Sequence, residues 1–147
     1  MSTGKYAKYW ILALIVIALT AIAAQAQTDP AVQMITAEEL KTKMTSNQPL
    51  TIIDVRSSEG YANSGNTMKG AIHYKLRRLK ARLALPPLKD LPKDREIVTY
   101  CACPNDESSI AAAQILQANG FKRVRVLQGG WQEWLKAKGP VESRARS

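Results

Sequence analysis

Cysteine and histidine are scarce in this chain of 147 residues, which contains two cysteines and one histidine. Cys101 and Cys103 are separated by a single residue, whereas His73 stands apart from them and follows an apolar segment. Structural zinc sites are closed by four ligands, so two thiols without a neighbouring imidazole make a poor site of that kind. Thiolates do favour soft metals such as Cu(I). We expect no resident metal and no other cofactor, and we interpret His73 as a structural residue.

Acidic residues are few: 12 Asp and Glu stand against 21 Lys and Arg, which gives a formal net charge of +9. The excess is concentrated in residues 75–82 and, to a lesser degree, in residues 122–125. The first group consists of Lys75, Arg77, Arg78, Lys80 and Arg82. Such a surface favours an anionic protein or a membrane surface as a partner. No recognition motif or interleaved aromatic residues accompany the charges, so we expect no nucleic-acid partner.

Long apolar stretches are also rare, and the one from Trp10 to Ala24 follows two basic residues, Lys5 and Lys8. It leads into Ala24-Gln25-Ala26, the small-residue pattern of a signal-peptidase site. The stretch is shorter than the roughly 20 apolar residues of a membrane span. We predict that residues 1–26 are a signal peptide or a membrane anchor. The protein would then be exported, to the periplasm if its source is bacterial, either free or anchored to the inner membrane.

Short apolar runs alternate with helical patterns along the rest of the chain. Strands are predicted at residues 50–55, 70–74, 96–100 and 123–127, and helices at 36–45, 109–118 and 131–138. Leu76, Leu79 and Leu83 predict a further, basic helix. This alternation predicts an α/β domain with a mostly parallel sheet and helices on both faces. We place that domain at residues 27–140, with a flexible lead at 27–33 and a polar C-terminal tail at 141–147.

Both cysteines fall in the turn between the third predicted strand and the next helix. Sites in parallel α/β sheets form at the carboxyl ends of strands. The N-terminus of a helix offers free N–H groups and a positive dipole end, which stabilise a thiolate or an anion. A disulfide between cysteines one residue apart would close a small, strained and labile ring. We therefore expect a chemically reactive pair.

The order of these segments resembles the single-domain rhodaneses. The resemblance is carried by LTIIDVR from Leu50, MKGAIH from Met68, IVTYC ending at Cys101, SIAAAQIL from Ser109 and GFKRVRVLQGGW from Gly120. It covers roughly residues 34–138. It implies a three-layer fold whose mostly parallel sheet has about five strands flanked by helices. It also implies a cysteine that takes a sulfane sulfur from a small donor as a persulfide and passes it to a thiol acceptor, without a cofactor.

The resemblance also implies roles for individual residues. The family's cysteine at the end of the central strand matches Cys101, and its acid-x-arginine motif matches Asp54 and Arg56, which we interpret as structural support. The loop whose backbone N–H groups surround the substrate sulfur matches Ala102, Cys103, Pro104, Asn105, Asp106, Glu107 and Ser108. This loop is about two residues longer than is common, so a count backwards from the helix selects Cys103. We favour Cys101 as the nucleophile and Cys103 as a resolving thiol, with the reverse assignment open.

The loop departs from the family in charge as well. It carries Asp106 and Glu107 but no Lys or Arg between Cys101 and Ser109. The acids would repel the thiosulfate dianion unless they point outward. Without an arginine to clamp phosphoryl oxygens, phosphatase chemistry is disfavoured. We favour a sulfurtransferase. The alternatives are a non-catalytic binding module and a periplasmic thiol-redox or soft-metal protein that uses Cys-x-Cys.

Overall fold

The computed structural model describes residues 31–46 and 48–144. The predicted signal peptide or anchor, residues 1–26, lies outside this range, and so do residues 145–147 of the predicted tail. Among the residues described, no helix has the length and apolar character needed to cross a bilayer.

Strands and helices alternate along the described chain, as predicted. Their order is β1 (Gln33–Ile35), α1 (Ala37–Thr45), β2 (Leu50–Asp54), α2 (Ser58–Asn63), β3 (Asn66–Met68), β4 (Ile72–His73), α3 (Leu76–Arg82), β5 (Glu96–Tyr100), α4 (Glu107–Ala118), β6 (Arg123–Leu127), α5 (Gly130–Lys136) and β7 (Val141–Ser143). Two short 3-10 turns, Leu88–Asp90 and Pro104–Asp106, precede β5 and α4. The second turn lies within the cysteine loop.

Five of the strands form one sheet in the order β1-β6-β5-β2-β4, and every adjacent pair in it is parallel. The predicted mostly parallel sheet of about five strands is therefore confirmed. The central strand is β5, and Tyr100 at its carboxyl end is in register with Asp54 of β2. Cys101 thus leaves the sheet at the middle of the edge where parallel sheets form sites.

Two short pairings were not predicted from the sequence. β1 begins at Gln33, the last residue of the predicted lead, and pairs with β6, with Ile35 opposite Leu127. Val141–Ser143, which we assigned to a polar tail, instead forms an antiparallel pair with Asn66–Met68. All three residues of this last strand are exposed, so it carries no apolar alternation that would reveal a strand.

Side chains of the central strands alternate between two apolar clusters, one on each face of the sheet. One cluster joins the sheet to α3 and α4 and includes Ile53, Leu79, Ile97, Cys101, Ala112 and Leu116. The other joins it to α1 and α5 and includes Leu40, Ile52, Val98, Tyr100, Trp131 and Trp134. The three-layer arrangement expected from the sequence follows from this division. Cys101 and Tyr100, adjacent in the chain, consequently face opposite layers.

Candidate functional site

Cys101 is held at the sheet edge from two directions. Its backbone continues β5, and its carbonyl oxygen accepts a hydrogen bond from the N–H of Trp131, in the first turn of α5, at 2.8 Å. Gly130 lies so close that a Cβ there would collide with the same carbonyl oxygen. The Cys101 residue is only 1% exposed. Its position is therefore fixed and its access to solvent is small.

The two cysteines are joined by a disulfide bond, with their Cα atoms 5.7 Å apart. Cys103 is partly exposed, and the backbone N–H of Ser108, at the start of α4, points to its sulfur at 3.4 Å. The sulfur of Cys101 instead lies 3.5 Å from the Ser109 hydroxyl. The resemblance predicts that N–H donors of this loop surround the sulfur on Cys101, whereas the Ser108 N–H is directed to Cys103. Which thiol reacts first stays a prediction.

Left-handed backbone shapes the rest of the loop. Asn105 and Asp106 have φ values of 55° and 56°, a conformation that Asn and Asp tolerate better than other side chains. The carbonyl oxygen of Asp106 accepts from the Ser109 hydroxyl, and its carboxylate accepts from the N–H of Gly129, both at 2.8 Å. Asp106 therefore ties the loop to the start of α5.

The predicted loop residues differ in how they face solvent. Ala102, Pro104, Asn105 and Glu107 are exposed, Cys103 and Ser108 are partly exposed, and Asp106 is buried. From the sequence, both loop acids are expected to repel an anionic donor unless they point outward. The structure separates them, because the Asp106 carboxylate turns inward to Gly129 while Glu107 faces solvent.

Asp54 and Arg56 form a fully buried ion pair beneath this edge, each with 0% of its side chain exposed. The Arg56 Nη2 and Nε atoms donate to the Asp54 carboxylate at distances of 2.7 to 3.1 Å. Arg56 also donates to the hydroxyl of Ser64 at 2.8 Å and to the carbonyl of Asn66 at 3.0 Å. These hydrogen bonds tie the end of β2 to the segment that leads into β3. The assignment of Asp54 and Arg56 as structural support stays a prediction.

Two members of this network were missed from the sequence, Tyr100 and Thr67. The Tyr100 hydroxyl donates to Asp54 at 2.7 Å and lies 2.9 Å from the Thr67 hydroxyl. Burial first, and then the negative charge of Asp54, raise the pKa of Tyr100 above its ordinary value of 10.0. A hydroxyl-bearing residue inside a buried strand, directly before the candidate cysteine, was the signal available in the sequence.

His73 lies within the same structural region. Its ring stacks on Tyr61 with centroids 3.8 Å apart, and its Nε2 atom lies 3.1 Å from the carbonyl oxygen of Arg56. These contacts account for His73 as a packing residue. Within residues 31–46 and 48–144, no cluster of three or more His, Cys, Asp or Glu side chains is arranged to hold a metal ion.

Comparison with known proteins gives a consistent set of likenesses. A family model described as a rhodanese-like domain matches residues 36–137. A candidate sulfur carrier protein of Bacillus subtilis (strain 168), YrkF, is 30% identical over 100 residues, which make up 68% of this chain and 49% of that protein. The chain thus spans about half the length of this curated relative.

Solved structures show the same fold. The crystal structure of the Alr3790 protein from Anabaena sp. has a TM-score of 0.64 at 29% identity, covering 76% of this chain and 82% of that one. The human single-domain sulfurtransferase TSTD1 has a TM-score of 0.60 at 23% identity, covering 72% of this chain and 97% of that one. At the latter identity the likeness establishes the fold alone. The three-layer α/β arrangement anticipated from the sequence is confirmed.

Proposed function

Because the chain belongs to the rhodanese-like domain family, we propose that it is a sulfurtransferase that carries sulfane sulfur as a cysteine persulfide. One observation supports this above the others: two cysteine sulfurs lie at the carboxyl edge of the central strand, against the first turn of α4. A helix N-terminus stabilises a thiolate there and then the anionic persulfide formed from it. No resident cofactor is required for this chemistry.

The reaction needs the reduced form of the cysteine pair. A thiolate attacks the outer sulfur of the donor, the new S–S bond forms, and the donor's leaving group departs with the electron pair. A thiol acceptor then takes the sulfur. While the Cys101–Cys103 disulfide is closed, neither sulfur has a free valence for this attack. A closed disulfide must therefore be reduced before either cysteine accepts sulfur.

The charge of the loop bears on the donor. Glu107 is the loop acid that faces solvent, and there is no Lys or Arg between Cys101 and Ser109 to offset it. The Glu107 carboxylate repels a dianion such as thiosulfate more strongly than it repels a monoanion, and it does not repel a neutral polysulfide. We propose donors of lower charge as the preferred class.

Mass spectrometry of single-cysteine proteins tests the function. The full-length chain with either Cys101→Ser or Cys103→Ser is reduced, freed of reductant and treated with a small sulfane-sulfur donor. We expect at least one of the two to gain the mass of one sulfur atom, which a thiol acceptor then removes. The double variant, which has no cysteine, is the control. If neither single variant gains sulfur, the sulfurtransferase proposal is wrong and a non-catalytic binding module is favoured.

Thiol–disulfide exchange is a second candidate function, favoured by the disulfide itself. In that case the reduced protein would pass electrons to a disulfide substrate without any sulfane sulfur. Incubating the reduced chain with a small disulfide and following the loss of two hydrogens separates this function from sulfur transfer.

We also propose export of the protein, supported by the basic and apolar pattern of its first 26 residues. If the source is bacterial, the domain would act in the periplasm. N-terminal sequencing of the exported protein is expected to begin at Gln27. Finding Lys5 in the exported form would show that the segment stays attached as an anchor.

A further inference from the structure

We infer that the two cysteines act in sequence on one sulfur atom: Cys103 accepts it, and Cys101 then displaces it as hydrosulfide while the disulfide closes. This inference rests on the proposed sulfur-transfer function and extends it. The protein would then reduce sulfane sulfur in addition to carrying it.

Access and electrostatics favour Cys103 as the accepting thiol. Its side chain is partly exposed, whereas Cys101 is 1% exposed within the apolar cluster under α4. The attacking thiolate, the sulfane sulfur of the donor and the leaving group must lie in line, so the thiol that reacts with an external donor needs open space in front of it. The Ser108 N–H, 3.4 Å from the Cys103 sulfur, stabilises the thiolate form that reacts.

Position favours Cys101 as the resolving thiol. The disulfide shows that the two sulfurs reach bonding distance in a domain in which β5 and α4 are both formed. The backbone of Cys101 is fixed by the hydrogen bond between its carbonyl oxygen and the Trp131 N–H. Attack by a held neighbour is intramolecular and avoids the entropic cost of bringing a second molecule to the site. A persulfide on Cys103 therefore has the Cys101 nucleophile held beside it.

The two steps balance in atoms and electrons. In the first, the Cys103 thiolate bonds to the sulfane sulfur of the donor, and the donor's remainder leaves with the electron pair. In the second, the Cys101 sulfur bonds to the inner sulfur of the persulfide, and the outer sulfur leaves. The Cys101 proton goes to that outer sulfur, giving hydrosulfide. The two thiols are oxidised to the disulfide, and the sulfane sulfur is reduced by the same two electrons.

A single turnover therefore needs no further reactant, but repeated turnover needs a dithiol reductant to reopen the disulfide. The structure already places the oxidised product of this cycle at the site, because the closed Cys101–Cys103 bond is its end point. Acceptance of sulfur by the reduced pair and reopening of the bond would alternate.

A single-turnover experiment with benzenethiosulfonate counts the two steps separately. Released benzenesulfinate reports acceptance of sulfur, and released hydrosulfide reports resolution. The full-length reduced chain is compared with Cys101→Ser, Cys101→Ala and Cys103→Ser, and each of these variants is also measured unfolded in urea. Circular dichroism establishes that each variant is folded.

For the wild type we expect one benzenesulfinate and one hydrosulfide per chain, with a final mass lower by two hydrogens. Both Cys101 variants should release benzenesulfinate, keep the added sulfur and release no hydrosulfide. The Cys103→Ser variant should release benzenesulfinate at least about tenfold more slowly than the wild type, because its remaining thiol is buried. Unfolded in urea, Cys101→Ser and Cys103→Ser should release benzenesulfinate at similar rates, because neither remaining thiol is then buried.

Two other outcomes would overturn the inference and leave the proposed function standing, and a third would overturn both. If Cys103→Ser accepts sulfur at the wild-type rate and the Cys101 variants do not, the order is reversed and Cys101 is the nucleophile. If the wild type keeps its added sulfur, Cys101 does not resolve the persulfide. If no protein releases benzenesulfinate or gains sulfur, the sulfur-transfer function itself fails.

Discussion

Asp106 is the residue on which the conformation of the cysteine loop depends most directly. Its carboxylate accepts the Gly129 N–H, and its backbone is left-handed. Replacement by Ala removes the acceptor and places a less tolerant residue at that φ, so we expect a loss of about 1–2 kcal/mol in the free energy of unfolding. Asp106→Asn keeps an oxygen acceptor and a tolerant residue and should lose less. Urea unfolding measures the free energy of unfolding of both variants, and Glu107→Ala, at the exposed neighbouring position, is the control. Equal losses for Asp106→Asn and Asp106→Ala would contradict this role of Asp106.

Glu107 should act on substrate charge rather than on stability, because its side chain is exposed. We expect Glu107→Gln to accelerate persulfide formation from thiosulfate by up to about fivefold at low salt, equivalent to ~1 kcal/mol of removed repulsion. The rate with a neutral organic polysulfide should not change. Adding salt should reduce the thiosulfate effect through screening. An equal acceleration with both donors would show that charge repulsion is not the cause.

Tyr100 should make the stability of the fold depend on alkaline pH, because its pKa is raised, mainly by burial and then by the charge of Asp54. The folded protein holds the hydroxyl proton more tightly than the unfolded chain. This contribution to stability is full below pH 10 and is lost as the pH rises above it. Tyr100→Phe removes buried hydrogen bonds and should be less stable at pH 8, by about 1–3 kcal/mol. The difference in the free energy of unfolding between the wild type and Tyr100→Phe should become smaller between pH 10 and 11. Denaturant unfolding at each pH measures this difference. A difference that does not change with pH would contradict the raised pKa of Tyr100.

At the scale of elements, the contact between the end of β5 and the start of α5 positions the site. A Cβ on Gly130 would collide with the Cys101 carbonyl oxygen, whereas one on Gly70 would meet open space. Both glycines have positive φ values, 49° and 75°. Gly70→Ala should therefore cost only backbone strain, about 1–2 kcal/mol. Gly130→Ala should cost a further ~1–3 kcal/mol for the collision.

The same pair of variants separates stability from function. Because Gly130 contacts Cys101, the inferred resolving thiol, Gly130→Ala should also slow the release of hydrosulfide after sulfur has been accepted from benzenethiosulfonate. Gly70→Ala should leave that rate unchanged. A normal rate in a folded Gly130→Ala protein would show that the carbonyl contact does not position Cys101.

Sequence reasoning succeeded where the signal was local. β5 and β6 occupy the predicted residues because each is a short β-branched run with polar boundaries. Thr36 caps α1 by accepting the Glu39 N–H, in agreement with a helix predicted to begin at residue 36. The Glu39 side chain pairs with Arg125 of β6. This ion pair depends on tertiary packing, which the local sequence pattern does not contain.

The parts that sequence reasoning missed depend on distant pairing. β1 and β7 have three residues each, and their strand partners lie far away in the chain. The inward turn of Asp106 requires two left-handed residues in succession and the approach of Gly129. The link from Tyr100 to Asp54 requires the register of β5 against β2. The sequence identifies the site's cysteines and its buried ion pair, and the fold decides which groups touch them.

At the scale of the whole chain, charge is distributed unevenly around the sheet. The five basic side chains at residues 75–82 are all exposed, while Leu79 of α3 is buried beneath them. α3 packs beside α4, the helix whose first turn contacts Cys103. A partner bound to this basic surface would therefore lie on the same layer of the domain as the candidate site.

This surface predicts salt-sensitive binding to anionic membranes. The Lys75→Gln/Lys80→Gln variant removes two exposed charges from it, and Lys69→Gln/Lys122→Gln removes two exposed charges elsewhere. Each lysine near an anionic bilayer contributes about 1 kcal/mol. The first variant should therefore lose about 30-fold in affinity for phosphatidylserine vesicles in a sedimentation assay, and the second much less. Residues 1–26 are common to both variants, so an apolar contribution from them cancels in the comparison.

Added salt should remove the difference in affinity between the two variants, since the Debye length falls to about 3 Å at 1 M. Equal losses in the two variants, or a difference that persists at 1 M salt, would show that residues 75–82 are not a docking surface of this kind.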